Sequence, residues 1–141
     1  LKGIRYPKKG VMLDTGHLMN ANRNLTSQQE GVEYIHKMLD AHGDLCKYIR
    51  GLHLHQSVSG AYVRDNTGFL PPDLPQDSVE QYSINYGHIQ KIDRHESWTI
   101  PEAASIVERL QPDYLTHELS ARDAAARHRA ILTQRRALGW M

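Results

Sequence analysis

The apolar run Val11-Met12-Leu13 ends in Asp14-Thr15-Gly16-His17, and this junction limits the folds open to the chain more than any other stretch. A short apolar run closed by a carboxylate and turning through glycine reads as a buried strand whose end carries chemistry. Two more clusters of the same chemistry follow. His53-Leu54-His55 closes a second strand-like run, and Asp93-Arg94-His95 follows a long loop. A lone carboxylate, Glu118, sits inside a third run, Tyr114 to Leu119. Carboxylates and imidazoles gathered from several strand ends form the donor set of a divalent metal centre.

Helix signals separate these runs. Ser27-Gln28-Gln29-Glu30 has the spacing of a capping box. Val32, Ile35 and Leu39 follow at helical spacing with Met38 beside them, and His42-Gly43 marks the stop. Tyr48 to Leu54 is expected as the next strand, after a crossover long enough for a parallel pair. The stretch 57–77, with Gly60, Gly68, Pro71, Pro72 and Pro75, reads as a long irregular loop, a feature often tied to function. A helix is expected over Ser78 to about Gln90, with Val79, Tyr82, Tyr86 and Ile89 on one side. Thr99-Ile100-Pro101-Glu102 reads as a second capping box, opening a short helix through Ile106, Val107 and Leu110. Tyr114 to Leu119 is the third strand, and Ser120-Ala121-Arg122-Asp123 starts a last helix to about Leu138.

The order strand, helix, strand, long loop with helices, strand, helix predicts an α/β fold with parallel strands. Parallel strands are normally buried on both faces, which three strands cannot arrange alone, and a complete (β/α)8 barrel takes about 250 residues. The 141 residues are therefore expected to form a single partial barrel, 1–141, with much of the barrel missing. Such a piece would self-associate or dock onto an absent N-terminal half, in line with a sequence that starts at Leu1 without Met. A net charge of +1 gives no bulk attraction to nucleic acid. No apolar run approaches the ~20 residues of a membrane span, and no signal peptide precedes Gly10. The single cysteine, Cys46, points to a reducing, cytoplasmic compartment.

Strand alternation sorts the candidate ligands. Asp14 shares a side of its strand with Met12, His53 shares one with His55, and Glu118 shares one with Tyr114 and Thr116. Asp14, His53 and Glu118 can thus face one interior at the carboxyl ends of parallel strands, where sites form in such folds. His17 lies just beyond, on the rim, and Asp93 and His95 are presented together by their loop. Each cluster alone has a plainer reading: Asp14-x-x-His17 as a cap or turn, the histidine pair as hydrogen-bonded core, Asp93-Arg94-His95 as an exposed ion-pair patch. Glu118 is harder to dismiss, because an unpaired buried carboxylate is costly. His117, on the opposite side, is expected to pack against helices. Taken jointly, the four clusters favour metal.

Leu13-Asp14-Thr15-Gly16-His17, Tyr48-Ile49-Arg50-Gly51-Leu52-His53, Asp93-Arg94-His95 and Leu115-Thr116-His117-Glu118, in that order, resemble the last third of endonuclease IV-type apurinic/apyrimidinic endonucleases. They also resemble the wider xylose-isomerase-like barrel superfamily. The resemblance implies the C-terminal portion of a TIM (β/α)8 barrel, about three β/α units, with strands six to eight present. It implies Asp14, His53 and Glu118 as ligands of one metal and His17, Asp93 and His95 as ligands of a second, zinc being the expected ion. Remaining ligands, including a bridging carboxylate, would come from earlier strands. Asp-Arg-His is the piece that leans to the endonucleases; the other motifs are shared with sugar isomerases and epimerases. His55-Gln56 stands where the endonucleases place Asn-Asp.

Two chemistries suit such a site. With several metals it hydrolyses a phosphodiester such as abasic DNA, through a metal-activated water. With one metal, manganese or magnesium, it moves a proton beside the carbonyl of a small sugar, as a sugar isomerase or epimerase does. Glu118 is the candidate catalytic group as ligand or base, and His55, Arg64 and Arg94 are the candidate substrate contacts. A truncated barrel serving as a non-catalytic module is the third expectation, and no turnover is expected from the isolated chain.

Overall fold

The computed structural model describes residues 3–68 and 73–141; Pro71 and Pro72 of the expected loop lie outside the described residues. Three strands form a parallel sheet in the order β1-β2-β3: β1 (Val11–Asp14), β2 (Ile49–Leu54) and β3 (Tyr114–His117). Asp14 pairs with His53, and His53 pairs with Thr116 in turn, so the carboxyl ends of all three strands lie side by side. The helices are α1 (Thr15–Asn20), α2 (Gln28–His42), α3 (Gly60–Asn66), α4 (Ser78–Ile92), α5 (Ala104–Leu110) and α6 (Ala124–Ala137). Two 3-10 segments, Gly43–Tyr48 and Pro101–Ala103, lead into β2 and α5.

This open sheet corrects the expected barrel portion. The structure is a small α/β domain of three parallel strands with six helices, not strands six to eight of a closed barrel. The expectation rested on parallel strands needing cover on both faces, but these strands are two-faced. In β2, Leu52 and Leu54 are fully buried on one side, while on the other His53 is only partly covered. On the bare side Met12 and Tyr114 flank Gly51 and are exposed. Alternation of this kind needs one layer of helices.

That layer is built mainly by α2. Its first turn is closed by Ser27, whose Oγ accepts from the Glu30 N–H at 3.2 Å. Glu30 in turn accepts from the backbone N–H and hydroxyl of Thr26 at 2.6 and 2.9 Å. Val32, Ile35 and Leu39 then fall on one stripe and pack with Leu52, Leu54, Trp98 and Ile106. Burying each such side chain is worth roughly 1.5–3 kcal/mol. Gly43, with φ +51, ends the helix in a backbone region glycine occupies without strain.

Gln134 of α6 locks the far side of β2. Fully buried, it donates through Nε2 to the Leu54 carbonyl and to His117 Nδ1, both at 2.8 Å, and accepts from the Trp98 N–H at 2.9 Å. His117 thus turns toward the helices, away from Glu118.

Several local expectations change. Thr15–Asn20 is a helix beginning directly after Asp14, which caps it through the His17 N–H at 2.9 Å. Thr99 does not cap: its N–H and hydroxyl donate to Gln28 Oε1, and the first turn after it is 3-10. Within the stretch 57–77, Gly60–Asn66 is α3. The third strand ends at His117, so Glu118 follows the strand rather than lying inside it. Among the described residues no helix is long and apolar enough to cross a membrane.

Candidate metal centre

Asp14 occupies the point where β1 becomes α1, and its carboxylate is the hub of the site. Oδ1 accepts from the His17 N–H and lies 2.9 Å from His55 Nε2. Oδ2 lies 3.3 Å from His17 Nδ1 and 3.5 Å from His53 Nδ1. Burial alone would raise its pKa. The hydrogen bond from His55, the His17 backbone N–H and the charge those two imidazoles can carry outweigh burial and hold it at about 2.

Two groups of donors surround this hub. The ligand atoms of His17, His55, Asp93 and His95 all lie within 4.8 Å of one another, and so do those of Asp14, His55 and Glu118. His53 joins the second group through Nδ1, 2.5 Å from Glu118 Oε2. Asp14, His53 and Glu118, predicted from alternation to face one space, do so. His17, Asp93 and His95 also meet, with His17 Nε2 2.7 Å from Asp93 Oδ2. His95 closes the ring, 3.5 Å from Asp93 Oδ2 and 3.5 Å from Glu118 Oε1. Glu118 lies past the end of its strand yet still reaches both halves.

His55 is the member that sequence reasoning placed differently. Expected as a substrate contact, it is fully buried and stacks on His95 with ring centroids 4.2 Å apart. It belongs to both donor groups. Gly16 makes room for it, because a Cβ there would collide with the His55 ring. Arg64 and Arg94, the other two expected substrate contacts, bond elsewhere. Arg64 donates to the Arg23 carbonyl, and Arg94 pairs with Glu96 at 2.6 Å and reaches the Val58 carbonyl.

The supporting residues carried no signal of their own in the sequence. Thr15, fully buried, donates to the His55 carbonyl at 2.5 Å and accepts from the His55 N–H at 3.1 Å, pinning the end of β2 to the start of α1. Asp93 Oδ1 accepts from Ser57 Oγ at 3.2 Å and from Asn20 Nδ2 at 3.4 Å, leaving Oδ2 for the imidazoles. Gln56 and Glu96 form a two-way antiparallel bridge that clamps the 93–96 turn beside β2. That turn needs clamping: His95 has φ +48, a conformation costing of order 1–3 kcal/mol for a residue with a side chain. Only single polar side chains, at the ends of α1 and in loops and with no periodicity, encode these contacts.

The electrostatics admit two descriptions. In the first, the cluster is an ion-pair network. His17 fits it, since both ring nitrogens face carboxylates. Burial works against its charge, but the bond to Asp93 and the nearby Asp14 and Glu118 win, so its pKa is raised. Two atoms do not fit. His55 Nδ1 and Glu118 Oε2 are buried without a hydrogen-bond partner; the short approach of His53 to Glu118 Oε2 lacks hydrogen-bond geometry. Leaving such atoms unsatisfied costs about 1–3 kcal/mol each. A cation held among these donors would give lone pairs of the cluster the partner the protein does not supply. The donors are nitrogen and oxygen only, suiting zinc or manganese, and Cys46 bonds to the Leu39 carbonyl elsewhere.

A cleft of about 290 Å³ opens onto this cluster, lined by Asp93, His95 and Glu118 on one side and by Tyr86, Ile89 and Gln90 of α4 on another, with Leu119 and Ser120. No family profile matches the chain, and neither curated proteins nor solved structures give a match.

Proposed function

We propose that this chain carries a divalent-metal centre and that the reaction run there is hydrolysis of a phosphate ester, a phosphodiester first of all. The observation that carries the reading is the pair of donor groups around Asp14 and His55, together with the two buried atoms left without partners, His55 Nδ1 and Glu118 Oε2. Asp14 and Glu118, with His53 beside both, would hold one ion, and His17, His55, Asp93 and His95 the other. Four donors close a site, whereas three leave a position open for water and substrate. Bound divalent cations supply Lewis acidity and bring the pKa of water toward neutrality.

The side chains divide the remaining work. Glu118 stands at the junction of both groups, 3.5 Å from His95 and 2.5 Å from His53, and lines the cleft. Besides holding an ion, it would accept the proton of the attacking water through its other oxygen as that water adds to phosphorus, and return it to the leaving alkoxide as the ester P–O bond breaks. Asp14, its pKa at about 2, stays ionised through the neutral range and serves as a fixed negative ligand. The resemblance of the motifs to apurinic/apyrimidinic endonucleases points the same way.

Elemental analysis of the purified chain tests the reading, with two zinc ions per chain expected. His95→Ala should lose one ion and keep the other. A single manganese or magnesium would shift the reading to proton transfer on a sugar carbonyl, and no bound metal would end it. An assay on abasic DNA and a simple chromogenic phosphodiester, beside a panel of ketoses, separates hydrolysis from isomerisation. Because the His17 imidazole must be neutral to hold an ion and its pKa, despite burial, is raised above the ordinary 6.5 by Asp93 and Asp14, zinc affinity should fall as the pH drops through that raised value.

A further inference from the structure

The cleft at the candidate metal centre does not end at Ser120. A second hollow of about 540 Å³ continues from it, sharing Tyr86, Gln90, Leu119 and Ser120 and adding Ala121, Arg122 and Arg127. One channel thus runs between α4 and the β3–α6 connection. Its inner end holds the carboxylates Asp93 and Glu118, its outer end two guanidinium groups.

The charge is arranged for an anion. Arg127 makes no side-chain hydrogen bond or ion pair among the described residues; only its backbone N–H is engaged, by the Asp123 carbonyl. Arg122 donates to Asp123 Oδ2 at 3.1 Å. Asp123, however, is committed to capping α6 through Oδ1, which accepts from the Ala126 N–H at 2.7 Å, so the pair of arginines retains excess positive charge. The two acidic residues of the wall lie at the other end, where cations would neutralise them. Guanidinium groups present parallel N–H donors that match phosphate oxygens.

We infer that Arg122 and Arg127 form an anion subsite that seats a second phosphate, so that the ester cleaved at the metal centre is one carrying another phosphate group on the alcohol it retains. This rests on the hydrolytic reading of the centre and narrows its substrate class. The scissile phosphate would be placed beside His95 and Glu118, at the inner end of the channel. The chain of the retained alcohol passes Ser120 and Tyr86, and its second phosphate meets the arginines.

Two chromogenic diesters sharing one leaving group, differing only in a phosphate on the retained alcohol, test this on the zinc-loaded chain. The phosphorylated diester should have a KM about tenfold lower, the effect of one or two charge-assisted contacts. In Arg122→Ala/Arg127→Ala that KM ratio should fall to near one, with zinc content measured on the same sample. Equal KM values in the unaltered chain, or a preference that survives the double substitution, would overturn the subsite. If zinc binds but neither diester is cleaved, the hydrolytic reading fails instead. The subsite is then decided separately, by titrating inorganic phosphate into the metal-free chain. Saturable, salt-sensitive binding lost in the double variant supports it, and no binding removes it.

Discussion

Helices α2 and α4 have the same length, 15 residues, and the same construction, and they end in opposite surroundings. Each begins with a side-chain cap, Ser27 on the Glu30 N–H and Asp77 on the Val79 and Glu80 N–H groups. Each carries large apolar residues at helical spacing. In α2 the stripe Val32, Ile35, Leu39 is buried, Ile35 to 0% exposure. In α4 the stripe Val79, Tyr82, Tyr86, Ile89 is open, from 69% at Val79 to 49% at Tyr86, and Tyr82 and Tyr86 stack on each other at 5.9 Å. A stripe read from sequence therefore announces a face that can be covered, not that something covers it. The sheet needs one helical layer, and α2, α5 and α6 supply it. What α4 contributes instead lies at its end, where Asp93 is its C-cap residue and its last turns wall the cleft.

The largest expected effect breaks the two helices apart. Ile35→Ala should cost about 2–5 kcal/mol of unfolding free energy, because a fully buried side chain leaves a cavity as well as lost transfer energy. Val79→Ala should stay within about 0.5 kcal/mol. Denaturant unfolding of both variants reads the contrast, and a loss above about 1 kcal/mol at Val79 would mean that the α4 stripe is covered in solution.

Zinc should narrow the difference from the other side. Asp93 and His95 follow α4 directly, so an ion held by them ties down that helix end. At a concentration about a hundredfold above Kd, binding to the native state alone adds about 2.7 kcal/mol to global stability. Hydrogen exchange should show added protection at the C-terminal amides of α4, beyond the global change. Equal protection across α2 and α4 would mean that the ion does not act through Asp93.

The caps give a smaller version of the same contrast. Ser27→Ala should lower global stability by about 1 kcal/mol, since α2 cannot fray without opening the core. Asp77→Ala removes two capping bonds, yet should appear mainly as faster amide exchange in the first turn of α4, with little change in the global transition.

How much was legible follows from which interactions were local. The strand-closing Asp14, the Ser27 cap, the α2 stripe and the alternation at Leu52-His53-Leu54 are all patterns within a few residues, and each predicted its element. Alternation also brought Asp14, His53 and Glu118 together in advance. The barrel expectation failed because it took a statistical habit of parallel sheets over the alternation in β2, where Leu52 and Leu54 are apolar on one face and Gly51 and His53 stand on the other. Thr15, Asn20, Ser57 and Gln56 could not be singled out: each acts through hydrogen bonds to residues distant in the chain, and a polar residue carries no label for a partner so far away. His55 carried its signal in plain view. Only the fold revealed that it is buried beneath His95 and needs Gly16 empty.

The smallest expected effect concerns pH and belongs to α2. His36 Nε2 lies 2.8 Å from Ser105 Oγ, and Arg109 Nη1 lies 3.2 Å from its Nδ1. Burial, and then the guanidinium charge of Arg109, hold its pKa below the ordinary 6.5. The unfolded chain therefore binds more protons than the folded one in the window just below 6.5, and stability rises with pH there. The contribution is fully present above 6.5 and is lost as the pH falls toward the depressed folded value. His17 acts with the opposite sign: its raised pKa favours the folded state below 6.5 and fades as pH rises through the folded value. The two separate by difference. Subtracting the pH profile of unfolding for His36→Gln from that of the unaltered chain, both free of metal, should leave a term that increases from pH 5 to pH 7. A flat difference would show that the α2–α5 seam does not discriminate between the two protonation states.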